Sequence, residues 1–332
     1  MIQELKCTLF TISIITSAYS WADSTSGESY TMINNDKKKT WCIGRYAVEV
    51  PAEARFYEQL DHYDSFKIET LNKKASRSDF DQAVAKSLKI YTGGDAVVVN
   101  DFPVVQGSES SVSKIILGNL DPSISKVVHV RAFVLDKGFL FSIAGKYSPK
   151  FENESKEAIQ NLVKNLKMRQ DNMIPKEKGF CVKNGFIHDE GKKYRFTSQR
   201  LILDFPQYPS VDISFESESV YENDGGLMKR TQNNLKEQGV LSKVFSNIKT
   251  LRKGAKKVNQ FDGEEWLVSA PMKGKNGIDA IWAYSGIANN NLYPSFQLNL
   301  TNGRDSGTHS ASISNFEAER MYSEILKSIR LF

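Results

Sequence analysis

The sequence predicts an α+β protein: two tandem, structurally similar domains, each a mainly antiparallel sheet packed with helices. Three observations carry this expectation. A strand-like run containing Trp41-Cys42-Ile43-Gly44-Arg45-Tyr46 opens one half, and Gly179-Phe180-Cys181-Val182-Lys183-Asn184-Gly185 opens the other. The two cysteines lie 139 positions apart, a domain-sized period rather than a solenoid's. Each half closes on an amphipathic helix, and both run in the order strand pair, helix, several strands, helix.

The chain begins with a single cation in Met1 to Lys6, then an almost uncharged apolar stretch from Thr8 to Ala18. Ser20-Trp21-Ala22 places small residues where a signal peptidase reads, just before Asp23. Residues 1–22 are therefore expected to be an export signal, because the apolar run is shorter than the roughly 20 residues that span hydrocarbon. Cys7 follows Glu4-Leu5-Lys6 and does not match a lipid-attachment cysteine, so it leaves with the signal. Residues 23–39 hold Ser, Gly and a Lys37-Lys38-Lys39 run without periodicity, and read as a flexible leader.

In the N-terminal domain, residues 40–170, strands are expected at Cys42 to Val50, Ala54 to Leu60, Ser65 to Leu71, Ala96 to Val105, Ser113 to Leu117, Val127 to Leu135 and Phe139 to Ala144. Ser78 with Asp81 resembles a capping box, and Phe80, Val84 and Leu88 then repeat at helical spacing. Ser148-Pro149 starts the closing helix, whose stripe is Ile159, Leu162, Val163 and Leu166. The charged, Pro175-containing stretch Arg169 to Lys178 marks the boundary, with residues 171–178 as linker. In the C-terminal domain, residues 179–332, strands fit Arg200 to Phe205, Val211 to Ser217, Trp266 to Ala270, Asp279 to Tyr284 and Ser295 to Leu300, with a helix at Leu227 to Lys236. The closing helix opens on Ser314 and Glu317 in capping-box spacing and buries Met321, Ile325, Leu326 and Ile329.

Of 332 residues, 25% are charged and 40% hydrophobic, a globular composition with length for two ordinary cores. Losing residues 1–22 removes Lys6 and Glu4, so the formal charge of +5 survives cleavage. A mildly basic exported chain suits acidic protein surfaces or anionic headgroups better than nucleic acid. The richest cationic stretch, Lys243, Lys249, Arg252, Lys253, Lys256 and Lys257, reads as a solvated strand or loop edge.

The catalytic inventory is thin. The chain has no Gly-x-Ser-x-Gly elbow, no His-Glu-x-x-His and no Gly-rich phosphate loop before a helix. Of the four histidines, His129 sits in the apolar strand Val127-Val128-His129-Val130 and reads as structural. His188-Asp189-Glu190 precedes Gly191-Lys192-Lys193 and reads as a solvated loop rather than a metal cluster, and His309 lies in a Gly-rich loop. Asp79 with Asp81 fits a helix start. No catalytic residue, cofactor or metal is expected.

Cys42 and Cys181 are the cysteines left after cleavage, at corresponding positions of two repeats in an oxidising compartment. If those positions lie near a pseudo-two-fold axis, a disulfide would staple the halves. Two buried thiols packing as small apolar residues are the alternative.

The Trp-Cys-Ile-Gly-Arg-Tyr opening followed by Val48-Glu49-Val50-Pro51, the second Gly-Phe-Cys181 opening and the Trp266-Leu267-Val268 strand resemble the two-domain immunity proteins that neutralise type VI secretion lipase effectors. The resemblance spans roughly Lys39 to Phe332. It implies a periplasmic protein, monomeric before binding, that grips a phospholipase around its lid or active-site entrance and performs no reaction. The reading from another class is a periplasmic lipid-handling protein or hydrolase with a pocket between the domains. For an inhibitor, the loops at Tyr221-Glu222-Asn223-Asp224, Ala288 to Tyr293 and Thr301 to Asp305 are candidate carriers of recognition, with Tyr221, Tyr293 and Arg304 as contact residues.

Overall fold

The computed structural model describes residues 37–92, 96–107, 111–120, 127–170, 172–223, 225–237, 248–272, 275–303 and 311–332. The expected export signal and most of the expected leader lie outside these residues. The first strand begins at Lys38, inside the stretch read as leader.

The opening run forms two strands rather than one. β1 (Lys38–Ile43) and β2 (Tyr46–Pro51) pair antiparallel about Gly44, whose φ of +58° lies in the left-handed region. A Cβ there would also sit 2.8 Å from Gln199 Oε1, so glycine is required on both counts. β3 (Arg55–Tyr63) and β4 (Phe66–Asn72) join through Asp64 and Ser65, both at positive φ, as a two-residue hairpin demands. α1 (Arg77–Thr92) is capped two residues earlier than the sequence suggests. Asp79 N donates to Ser76 Oγ at 3.2 Å, and Ser76 N donates back to the Asp79 carboxylate at 2.7 Å. Ser78 and Asp81 instead face along the helix, Asp81 pairing with Arg77.

β5 (Val97–Asp101), β6 (Val105–Gln106), β7 (Ser111–Asn119), β8 (Val128–Asp136) and β9 (Phe139–Tyr147) follow. A 3-10 turn at Pro149–Phe151 leads into α2 (Glu152–Asn165) and then the short β10 (Leu166–Met168). The second half repeats this order: β11 (Gly179–Val182), β12 (Gly185–His188), β13 (Thr197–Asp204), β14 (Val211–Glu218), α3 (Gly226–Glu237), β15 (Lys249–Val258), β16 (Phe261–Met272), β17 (Lys275–Tyr284), β18 (Ser295–Asn302), α4 (Asn315–Ser328) and β19 (Arg330–Leu331). At α4 the capping box has the expected spacing, Ser314 Oγ accepting from Glu317 N at 3.2 Å. The cationic stretch forms β15 at one end of the sheet, and its exposed lysines discourage edge-to-edge pairing. Lys243 lies outside the described residues.

One 13-stranded sheet runs through both halves in the order β15-β16-β17-β18-β14-β13-β3-β4-β9-β8-β7-β5, with β6 beside β7. The order is a palindrome about the antiparallel β13–β3 pair: β3, β4, β9, β8 and β7 have counterparts in β13, β14, β18, β17 and β16. Two small sheets obey the same symmetry, β10-β12-β11 matching β19-β2-β1.

The opening hairpins are exchanged. Ile43, Tyr46, Val48 and Val50 of the first hairpin are buried with Leu201, Phe215, Trp282, Phe296 and Ile325 of the C-terminal half. Phe180, Val182 and Ile187 of the second hairpin are buried with Ile68, Val130, Phe141 and Leu162 of the N-terminal half. A separate cluster, Phe80, Tyr91, Ile116, Phe133 and Leu140, holds α1 to the N-terminal strands. The boundary near residues 171–178 thus divides the chain but not its two large cores, each of which needs a hairpin from the other half to exclude water.

Candidate functional site: the junction and the surfaces it holds

The hairpins cross where their sequences match. Gly44 N donates to Cys181 O at 3.3 Å and Cys181 N to Gly44 O at 2.7 Å. This brings the cysteine Cα atoms to 5.8 Å, and Cys42 and Cys181 form a disulfide with S–S 2.01 Å. Both cysteines are buried against Phe186.

Beside the disulfide, Asp61 of β3 is buried and ties three segments together. Its carboxylate accepts from Lys183 N at 2.7 Å, Gln59 Nε2 at 2.9 Å and Gln199 Nε2 at 2.5 Å. Gln199 Nε2 also donates to Cys181 O at 2.6 Å. Burial pushes the Asp61 carboxyl up to about 6, although these hydrogen bonds and the charge of Arg169 favour the ionised form. The unfolded carboxyl titrates near 3.8, so between these values the folded protein holds the extra proton. The contribution of Asp61 to stability therefore grows as pH falls through 6, is complete below about 4 and reaches at most about 3 kcal/mol. Denaturant unfolding at pH 7.5 and pH 4.5 should show this gain in the parent and a smaller one in Asp61→Asn; equal gains would assign the effect elsewhere.

Two ion pairs brace the same junction. Arg45 donates to Gly179 O at 2.9 Å and Asp189 O at 3.1 Å and pairs with the Asp189 carboxylate, while Arg195 pairs with Asp64 at the β3–β4 turn. The His188-Asp189-Glu190 stretch, expected to be a solvated loop, is thus split. His188 is exposed, with Nδ1 3.3 Å from Glu177, and Glu190 pairs with Lys192, but the Asp189 side chain is only 9% exposed and locks the two halves. Nothing local distinguishes Asp189, because its partner lies 144 residues away. Arg45 and Asp61 likewise carry no sequence signal of their roles. Among the described residues, no group of three or more His, Cys, Asp or Glu could hold a metal.

The braced junction presents two surfaces. At one end, the loops after β12, β14 and β17 converge. Tyr221 is 64% exposed and stands edge-on to Tyr194, with ring centroids 6.0 Å apart. Tyr221 O accepts from Asn289 Nδ2 at 3.2 Å, which joins this loop to the one containing exposed Ile287. Tyr293 belongs to the same cluster, but is half-buried and closes a turn through Ile287 N, which donates to Tyr293 O at 2.9 Å. Arg304 and His309 lie outside the described residues. The second surface is a groove of 460 Å³ lined by Thr70, Leu71, Asn72, Lys73, Lys74, Lys183 and Asn184, which no local motif marks.

The fold of this chain superimposes on solved immunity proteins of the type VI secretion system. The apo immunity protein TplEi from Pseudomonas aeruginosa superimposes with a TM-score of 0.74 at 23% identity, covering 89% of this chain and 97% of that one. The Tle4–Tli4 complex gives a TM-score of 0.75 at 23% identity, with 90% and 98% covered. TplEi complexed with "L" peptide gives 0.70 at 23% identity, with 89% and 98% covered. No curated protein matches the chain. The chain belongs to the Tle cognate immunity protein 4 family, whose N-terminal domain model matches residues 39–177 and whose C-terminal domain model matches residues 173–331.

Proposed function

We propose that this protein is an exported immunity protein that binds one lipase effector of the type VI secretion system and obstructs its lid or active-site entrance, without catalysing a reaction. The observation that carries this reading is the rigid junction. A disulfide, a buried carboxylate hub and two ion pairs fix both halves, so that exposed loops and the groove are presented preorganised, which lowers the ordering cost of association. Membership of the immunity family and the relative solved in the Tle4–Tli4 complex support a protein target. The export signal read in residues 1–22 supports action in the periplasm, and among the described residues no helix is long and apolar enough to cross a membrane.

The test is co-purification with a candidate type VI secretion lipase effector, followed by phospholipid cleavage at increasing immunity protein. Cleavage should cease at a one-to-one ratio. Tyr221→Ala should weaken binding by about tenfold while leaving the melting temperature unchanged, as expected for an exposed aromatic anchor. Full lipase activity in the presence of a molar excess would refute the inhibitor, and unaltered affinity in the variant would remove this loop from the interface.

A further inference from the structure

The duplication exposes one departure from symmetry. In the C-terminal half, β13 and β14 pair along seven registers, from Ser198↔Glu218 to Asp204↔Asp212. Their counterparts β3 and β4 pair along three, from Asp61↔Ile68 to Tyr63↔Phe66. Beyond these the strands part: Arg55 to Leu60 stays with β13, Glu69 to Asn72 stays with β9, and no register pair joins them across the split. Each diverging strand carries a bulge in its remaining ladder, at Tyr57 between the Phe56 and Glu58 pairs and at Leu71 between the Thr70 and Asn72 pairs. Bulges bend a strand and re-aim a side chain. Here they leave Tyr57 59% and Leu71 51% exposed.

The turn of the exchanged second hairpin holds the split open. Lys183 N is bound to Asp61, Lys183 O accepts from Thr70 Oγ1 at 2.8 Å, and the Lys183 ammonium stands 3.7 Å over the Phe56 ring. The 460 Å³ groove lies along this turn and the end of β4. Lys73, Lys74 and Lys183 line the groove, and exposed Arg55 begins β3; the diverging segments carry two acids, Glu58 and Glu69, and Glu69 pairs with Lys67 at 2.6 Å.

We propose that the split between β3 and β4 receives an extended, acid-rich segment of the partner protein as an added strand. The open edge of β4 supplies backbone donors and acceptors, Tyr57 and Leu71 supply apolar contact, and the lysines select for carboxylates. A strand rises about 3.3 Å per residue, so the four-residue edge Glu69 to Asn72 engages roughly 13 Å of chain. The proposal rests on the inhibitor reading and gives it a recognition chemistry.

Amide hydrogen exchange on the mature chain, free and saturated with the lipase, tests it together with the double charge reversal Lys73→Glu, Lys74→Glu. The expected result is at least tenfold slower exchange at Arg55 to Leu60 and Glu69 to Asn72 in the complex. The double variant should bind at least tenfold more weakly, with the deficit shrinking at high salt. If the lipase is inhibited but these amides exchange equally in both states, the groove assignment falls and the inhibitor stands. If the lipase is neither bound nor inhibited, both fall. Protection of the same amides by phosphatidylglycerol vesicles without lipase would assign the split to a membrane and overturn the proposal.

Discussion

Replacing Cys42 and Cys181 with serine lowers the unfolding free energy by about 5 kcal/mol. The disulfide closes a sequence separation of 139 residues, and the chain-entropy relation assigns a loop of that length about this value. The position makes the full effect reachable. Both cysteines are buried at the crossing of the exchanged hairpins, and their backbones are already joined through Gly44, so the bridge adds little constraint to the folded state. Guanidinium titrations of the double variant and of the reduced parent should both show the loss. A change under about 1 kcal/mol in both would mean that other contacts hold the denatured chain compact.

Tyr46→Ala should cost about 4 kcal/mol, with its damage in the half of the chain that does not contain it. Tyr46 is fully buried, its ring centroid lies 4.4 Å from that of Phe296 and 5.6 Å from that of Phe261, and its hydroxyl donates to Pro294 O at 2.5 Å. Truncation would open a cavity under β16 and β18 and orphan a buried carbonyl. Hydrogen exchange should therefore quicken in β16, β17 and β18 while β7, β8 and β9 keep their protection. Faster exchange confined to the N-terminal strands would contradict the hairpin exchange.

Both results depend on a feature that residue patterns announce only in part. Alternation along Val211 to Ser217 and the stripe Met321, Ile325 and Leu326 were readable because each element's burial repeats at its own period, whereas the far end of β8 is buried on both faces and reads as a continuous apolar run. Gly44 was harder. Within an apolar run it reads as an interruption, and only its left-handed φ and the approach of Gln199 make it the turn that splits the run into β1 and β2. At α1 the sequence pointed to Ser78 with Asp81, but the helix is capped two residues earlier by Ser76 with Asp79, because the chain's entry path sets which Ser/Asp pair meets the first turn.

The candidate site divides in the same way. Tyr221 could be found because an exposed aromatic in a polar loop is chemically conspicuous. Asp61, Asp189 and Lys183 could not, since each acts through partners more than 100 residues away, and an isolated Asp or Lys looks like any solvated charge. The split between β3 and β4 was equally hidden, because composition does not report where a ladder stops.

By itself, the sequence determined most of the long strands and helices, their antiparallel α+β class, the duplication and the matched cysteines, all of which follow from local periodicity and repeated residues. Only the tertiary structure decided which hairpin completes which core, that one sheet passes through both halves, that the cysteines meet, and where the sheet opens. Those outcomes turn on apolar faces choosing among several compatible partners. That choice depends on burial summed over the whole chain rather than on any short run of residues.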